Sequence, residues 1–375
     1  MPQDSIVISG TGLFTPQESI SNEELVASFN QYADLYNAQY TAEIEAGTLD
    51  ALEHSSVEFI EKASGIKSRF VMNKSGVLDP DRMSPCIAER RDEEQSVQCD
   101  MAVAAARQAL KNSDLAVADL DAVIVACSNM QRAYPAMAIE VQHALGVQGF
   151  AYDMNVACSS ATFGLQTAYN TIVAGNADRV LMVNPEICSA HLAWKDRDCH
   201  FIFGDVCTAV IIERASMARS EHQFEMIDTR LQTRFSNNIR NNAGFLNRCD
   251  ERHAQDRDKL FIQNGRKVFK EVCPMVATQI TRQLAANNES AGNIKRLWLH
   301  QANINMNLHI ARHVLGREAS QDEIPTVLDE YANTSSAGSI IAFHKAHKDL
   351  DAGDLGVLCS FGAGYSVGSV LVRKR

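Results

Sequence analysis

Three side chains in this sequence have the types and spacing to carry acyl-transfer chemistry together: Cys158, His300 and Asn333. Cys158 lies in Ala151-Tyr-Asp-Met-Asn-Val-Ala-Cys-Ser-Ser-Ala-Thr-Phe-Gly164, where an apolar strand ending at Ala157 passes into a helix. Leu165, Ala168 and Ile172 recur at helical spacing, and Ser159, Ser160, Ala161 and Gly164 keep the first turns small enough for close approach. A thiol at that junction faces the unpaired N–H groups of the first turn and the positive end of the helix dipole, and both favour thiolate. A cysteine on an apolar helix can equally be inert packing. His300 follows Leu297-Trp298-Leu299, and Asn333 opens Asn-Thr-Ser-Ser-Ala-Gly338. Alone, the first reads as a satisfied strand end and the second as an ordinary helix cap. Together with Cys158 they form a coherent set, because sites in α/β sheets collect at the carboxyl ends of strands.

The elements that must position these groups follow from the apolar patterning. Ser5 to Gly12, Asp121 to Ser128, Arg179 to Asn184 and Cys207 to Glu213 read as strands, with helices over Asp100 to Lys111 and Ala136 to Leu145. The all-apolar middle of Asp121 to Ser128 suits a sheet covered on both faces. After the Cys158 helix the rhythm repeats: a strand from Phe224 to Leu231, a helix from Asn264 to Ala286 with Pro274 as a kink or break, and a strand from Arg296 to Leu299. Ile304 to Leu315 is a helix, Ile324 to Leu328 a short strand, and Ser335 to His347 a helix. Leu355 to Phe361 and Ser366 to Val372 close as a hairpin. This order predicts a layered α/β architecture of two duplicated halves, residues 1–220 with the nucleophile and 221–375 with the His and Asn, divided near Ser216 to Glu225. Residues 30–56, rich in acid, read as a solvated face, and 73–95 as a surface loop.

Composition limits the function classes. At 375 residues, 46% hydrophobic and 22% charged, the chain is of ordinary globular make-up and too long for one small core. A formal charge of −11 argues against nucleic acid as a partner. No run is apolar enough to cross a membrane, and the N-terminus shows no basic-then-apolar leader. Ten cysteines without a Cys-x-x-Cys pair or zinc-like spacing predict reduced thiols, no metal site and a cytoplasmic setting.

Several stretches carry a family resemblance. Ala157-Cys158-Ser159, Leu299-His300-Gln301-Ala302-Asn303, Asn333-Thr334-Ser335-Ser336-Ala337 and Phe361-Gly362-Ala363-Gly364 resemble the β-ketoacyl-acyl carrier protein synthase III family. The separations, 142 residues from Cys158 to His300 and 33 from there to Asn333, fit it, as do Ser64-Gly65-Ile66-Lys67-Ser68-Arg69, Asp196-Arg197 and Phe203-Gly204-Asp205. The resemblance covers nearly the whole chain, with extra length around 30–56 and 73–95. It implies the five-layered αβαβα thiolase-like fold, a homodimer and a Cys-His-Asn site.

The implied reaction is a decarboxylative Claisen condensation of an acyl primer, on coenzyme A or acyl carrier protein, with malonyl-acyl carrier protein. Cys158 would take the acyl group as a thioester. The backbone N–H groups of Cys158 and Ala363 are the oxyanion donors. His300 and Asn333, as neutral donors, would hold the enolate oxygen without quenching the carbanion. No metal or redox cofactor is required; the coenzyme A or phosphopantetheine thioesters are substrates. By resemblance Phe361 sits beside the nucleophile, although it reads equally as core, and Tyr134 limits the acyl pocket, in some members across the dimer. Phe59 and Arg197 match positions at the coenzyme A adenine end, with Phe59 in place of a tryptophan and Ala63 where an arginine is usual. Asn264 and Asn303 are candidate lining residues. Arg266, Lys267, Lys270 and Arg312 form either a patch for an acidic carrier protein or plain solvated helix faces. Ala332 replaces a usual glycine, and Ala363 interrupts a glycine triplet. The alternatives are a non-decarboxylative Claisen enzyme, akin to 3-hydroxy-3-methylglutaryl-coenzyme A synthase or a head-to-head condensing enzyme, for which Glu186 is the nearest candidate base, and a non-catalytic carrier-protein-binding subunit.

Overall fold

The computed structural model describes residues 4–375; Met1 to Gln3, part of the stretch read for a leader, lie outside them. Nine strands form the main sheet: β1 (Ile6–Phe14), β2 (Ala122–Ala126), β3 (Phe150–Met154), β4 (Arg179–Ile187), β5 (Asp205–Arg214), β6 (Phe224–Ser236), β7 (Ile294–Leu299), β8 (Leu355–Gly362) and β9 (Gly364–Lys374). Their spatial order is β7-β8-β9-β6-β1-β5-β4-β2-β3. In the first half β1 pairs antiparallel with β5 and β5 with β4, while β2 runs parallel to β4 and β3 to β2. The second half follows the same plan: β6 antiparallel to β9, β9 to β8, and β8 parallel to β7. The halves join where β1 meets β6, at Val7 opposite Glu225 and Ile8 opposite Phe224.

Three apolar clusters interleave with this sheet and produce five layers. The helices Val97–Ser113 and Met137–Leu145 cover the outer face of the first half through Ala105, Ala109 and Val141. The helices Gly265–Ala286 and Ile304–Leu315 cover the outer face of the second through Val272, Ile280 and Ile310. Between the half-sheets, Leu165, Ala168 and Ile172 of the helix Ser160–Val173 pack with Ile340 and Phe343 of the helix Gly338–Lys345. The layered fold expected from the element order is therefore present, and the nucleophile helix lies in its middle layer. A fourth cluster, with Phe29, Ile60, Trp194 and Phe201, anchors residues 20–83 over the 188–203 loop.

Local expectations differ from the structure at several points; a short helix, Lys74–Leu78, with Gly76 and Val77 buried, opens the stretch read as a surface loop. Ile324 to Leu328 does not form a strand; Pro325 has no N–H to donate, and the chain is held by a Leu297 N–H to Glu323 carbonyl bond of 2.7 Å and a Val327 N–H to Gln301 Oε1 bond of 3.1 Å. The helix Gly265–Ala286 runs unbroken through Pro274, with Val272, Cys273, Val276 and Ala277 buried on either side. Tertiary packing there outweighs the lost hydrogen bond. The strand expected to stop at Leu231 continues to Ser236 because β9 pairs with it along that length.

Candidate active site

The strand before the nucleophile ends at Met154, and Cys158 sits on a 3₁₀ turn, Ala157–Ser159, one residue short of the helix. Ala157 has φ +48°, so the chain turns sharply there and presents the thiol upward. The closing hairpin lies directly over it. A Cβ on Gly362 would come within 2.5 Å of the Cys158 Cβ and 3.0 Å of its Sγ, so only glycine permits this approach. The Ser159 hydroxyl donates to the Ser366 carbonyl at 3.1 Å, and the Ser366 hydroxyl donates to the Ala363 carbonyl at 3.0 Å. These bonds tie the Gly-Ala-Gly corner to the nucleophile turn. The Ala363 and Cys158 backbone N–H groups both face the sulfur.

The thiol itself departs from expectation. The helix-end donors favour thiolate, yet burial pushes the Cys158 thiol up to about 11, with the charge of nearby Glu186 acting in the same direction. Desolvation exceeds the help from Ser335 and the two N–H groups, so the site holds a neutral thiol. Ser335, named from sequence only as part of a small-residue helix start, places its hydroxyl 3.5 Å from the Cys158 sulfur. Its φ of +52° turns it inward. No sequence pattern distinguished it from Ser336, which points the other way.

His300 continues the line of β7, its N–H donating to the Cys359 carbonyl at 2.8 Å. Its ring meets Phe361 edge-on, with centroids 5.1 Å apart at 85°. Burial pushes the imidazole down to about 4, so His300 is neutral at physiological pH. Asn333 is held by main-chain bonds to Ile202 and Gly204, at 2.9 and 3.1 Å, where it bridges to Phe203. Its Oδ1 accepts the Ser335 N–H at 2.9 Å, which leaves the Nδ2 donor for a ligand. Ala332 before it has φ +55° and ψ −157°, a conformation suited to glycine, which accounts for the glycine usual at this point in the family resemblance.

Cys158, His300, Asn333 and Phe361 share one cavity of about 700 Å³. Its walls are largely apolar, from Ile202, Phe203, Phe261, Phe269, Val272 and Met306, of which only Phe203 lay in a motif read from the sequence. Phe59 lines its outer part. Arg197 lies over the Phe59 ring at 4.3 Å and donates to the His54 carbonyl at 2.7 Å. Asn303 also reaches the cavity, but its amide caps the next helix at Asn305 N and donates to the Ala63 carbonyl at 2.7 Å. Asn264 is a correction: it caps the helix Gly265–Ala286 through the Lys267 N–H and is not among the cavity walls. Tyr134 is not brought to the cavity by this chain either; its side chain is 85% exposed on the loop before Met137. Arg266, Lys267, Lys270 and Arg312 are all exposed on two adjacent helices, with Arg266 at the cavity wall and Arg312 paired to Glu318 at 3.3 Å.

Glu186, the candidate base, is buried and fully engaged. Its carboxylate accepts the Ser128 N–H at 3.0 Å and hydroxyl at 2.5 Å, and the N–H and hydroxyl of Ser336 on the other half. It is absent from the cavity wall and instead braces the turn that carries Asn333 and Ser335. Among the described residues no cluster of His, Cys, Asp and Glu has the arrangement of a metal site.

Comparison with known proteins agrees with this geometry. The chain matches the 3-oxoacyl-[acyl-carrier-protein] synthase III model over residues 152–234 and its C-terminal model over 284–374. It is 63% identical over 347 residues to a β-ketodecanoyl-[acyl-carrier-protein] synthase of Pseudomonas aeruginosa, covering 92% of this chain and 99% of that protein. A β-ketoacyl-[acyl-carrier-protein] synthase III of Bartonella henselae is 27% identical over 98% of both chains. In fold the chain is similar to the crystal structure of a 3-oxoacyl-(acyl carrier protein) synthase III from Pseudomonas aeruginosa (TM-score 0.75, 23% identity, 98% of each chain). It is also similar to the priming β-ketosynthase of the R1128 polyketide pathway (TM-score 0.76, 19% identity, 100% and 97% of the chains). The length and identity of these matches, on a thiolase-like fold whose nucleophile turn and closing hairpin meet at Cys158, show that the chain belongs to the β-ketoacyl-acyl carrier protein synthase III family.

Proposed function

We propose that this condensing enzyme extends an eight-carbon acyl primer with malonyl-acyl carrier protein, by decarboxylative Claisen condensation, to a ten-carbon β-ketoacyl-acyl carrier protein. One observation carries the reading: a single cavity with long apolar walls ends on Cys158, His300 and Asn333. The chain length is supported by the name of the 63%-identical relative, a β-ketodecanoyl synthase, since this condensation adds two carbons to its primer.

The Cys158 sulfur attacks the primer thioester, its proton leaving with the departing thiol, and the tetrahedral oxygen is held by the N–H groups of Cys158 and Ala363. Acylation removes the cost of a buried thiolate, because the thioester is neutral. Malonyl thioester then loses carbon dioxide, and charge gathers on its carbonyl oxygen. His300, neutral through burial, and the Asn333 Nδ2 donate to that oxygen, and neither can protonate the carbanion prematurely. The enolate carbon attacks the acyl carbonyl and Cys158 departs as thiolate. The reaction takes no cofactor beyond its thioester substrates. The non-decarboxylative alternative needs a free carboxylate beside the sulfur, and Glu186 has both oxygens bonded elsewhere.

We read the assembly as a homodimer with halves 1–220 and 221–375 in each copy. The matching strand plans support the duplication, and exposed Tyr134, Ile139 and Phe150 beside the free edge strand β3 support a second copy there. The exposed Arg266, Lys267, Lys270 and Arg312 suit an acidic carrier protein. Among the described residues no helix is long and apolar enough to cross a membrane, and the ten cysteines are free, the latter supporting a reducing, cytoplasmic setting.

The test is intact-protein mass after incubation with acyl-coenzyme A thioesters of two to fourteen carbons. Octanoyl loading of the wild type, absent from Cys158→Ala, is expected. Preferential acetyl loading would refute the medium-chain reading, and equal loading of the variant would remove Cys158 as nucleophile.

A further inference from the structure

Glu186 is 1% exposed and close enough to Cys158 for its charge to act on the thiol, and the reaction makes no use of it. It stands near the end of β4, in the half that carries the nucleophile, and its carboxylate reaches across to the half that carries Asn333. Burying a carboxylate is costly, and only a full set of donors offsets the cost. Glu186 has that set. One oxygen accepts the N–H groups of Ser128 and Ser336, at 3.0 and 3.2 Å, together with the Ser336 hydroxyl. The other accepts the Ser128 hydroxyl at 2.5 Å.

Each serine leads to a different part of the site. The Ser128 carbonyl accepts from the Asn155 amide at 2.7 Å, and the Asn155 Oδ1 accepts the Ala157 N–H at 2.8 Å. Ala157, at φ +48°, is the residue that presents Cys158. On the other side Ser336 follows Ser335, whose N–H is held by the Asn333 Oδ1 at 2.9 Å and whose hydroxyl lies 3.5 Å from the sulfur. Ser335 has φ +52°, a conformation that persists only where the surroundings hold it. Two turns of positive φ, one from each half, thus share a single buried anchor.

We infer that Glu186 is a positioning residue, which sets the Asn333 amide against the Cys158 sulfur. It grips the Ser336 turn on one side and the Ser128–Asn155–Ala157 chain on the other. It is absent from the cavity wall, so it acts through these partners and not on the substrate. Because the grip consists of accepted hydrogen bonds, it survives loss of charge. A glutamine keeps one oxygen for the two N–H groups and turns its amide N–H to the Ser128 hydroxyl, which accepts as well as donates. A catalytic base would not survive that change. The inference rests on the decarboxylative condensation proposed above, in which loading and decarboxylation are separate steps with different donors.

The experiment compares Glu186→Gln, Glu186→Ala and Ser336→Ala with the wild type. Three quantities are measured: octanoyl loading of Cys158, carbon dioxide release from malonyl-acyl carrier protein, and hydrogen exchange over residues 333–339. Ser336→Ala loosens only the Asn333 arm, so decarboxylation should fall about tenfold, as for loss of one hydrogen bond to a charged group, while loading changes less than about twofold. Glu186→Ala should slow both steps, and Glu186→Gln should retain most of both. Exchange over 333–339 should quicken in Ser336→Ala and Glu186→Ala but not in Glu186→Gln. A Gln variant as inactive as the Ala variant would overturn the inference, because the charge would then act in the chemistry. Equal slowing of both steps in Ser336→Ala, or unchanged decarboxylation there, would overturn it too. Should Glu186→Ala fail to fold, the other two variants give the same decision. If the wild type releases no carbon dioxide, the proposed reaction falls, and the exchange comparison still decides the anchor.

Discussion

At Cys158 two physical effects oppose each other. Helix-end donors draw the thiol toward thiolate, and loss of water drives it back more strongly, up to about 11. Alkylation of Cys158 by iodoacetamide should therefore rise about tenfold per pH unit above pH 8 without levelling before pH 10; a plateau near pH 8 would show that the helix end dominates. In the proposed mechanism His300 and Asn333 serve the second half-reaction. Replacing either by Ala should lower malonyl decarboxylation by about 10²- to 10³-fold, the usual loss for one oxyanion donor, while octanoyl transfer to Cys158 still proceeds in mass measurements. Equal loss of both half-reactions would show that the donors serve acylation as well. The identities of these three residues were legible from their spacing. Ser335 was not, because a serine in a small run carries no mark of the +52° φ that turns its hydroxyl to the sulfur.

Two elements converge on the nucleophile turn, the β8–β9 hairpin and the Asn333–Ala337 turn, and each holds its place through a demanding backbone. Gly362→Ala forces a Cβ into the Cys158 side chain, so it should destabilise the fold by about 1–3 kcal/mol, as overpacking does. It should also block acyl loading; urea titration and mass measurement check the two effects. Ala332→Gly should act in the opposite direction, relieving a strained φ and raising stability by about 1 kcal/mol in the same titration. An unchanged midpoint would mean the strain is already absorbed by the neighbouring turn. Most elements followed from apolar periodicity. The exceptions were set by partners distant in sequence: β9 extends β6 to Ser236, packing keeps Pro274 inside a helix, and Gln301 takes over the backbone at Val327.

Across the whole molecule, burial sets the response to acid. His191, His300 and His347 are pushed down to about 4 and His200 to about 3, all chiefly by desolvation. Their folded pKa lies below the unfolded value near 6.5, so the unfolded chain binds protons first and stability is lost as pH falls from 6.5 toward 4. Buried Asp205, raised to about 6, and buried Glu186, also raised by desolvation, act oppositely, gaining stability on protonation, but they are two groups against four. Thermal melting should therefore show a midpoint that declines from pH 6.5 to pH 4; a flat profile would mean these histidines gain water or partners before unfolding.

What the sequence by itself determined is the set of local and repeating properties: strand and helix periods, the duplicated order, and a Cys-His-Asn set at element ends. These are legible because each depends on a few neighbouring residues or on a fixed spacing. Tertiary structure alone decided the properties that depend on what surrounds a group. It buried the thiol deeply enough to keep it protonated, engaged Glu186 between Ser128 and Ser336, and turned Asn264 and most of Asn303 into helix caps. It also closed Arg197 onto Phe59. Desolvation, hydrogen-bond partnership and cavity shape are sums over residues far apart in the chain, and they acquire values only when the layers pack.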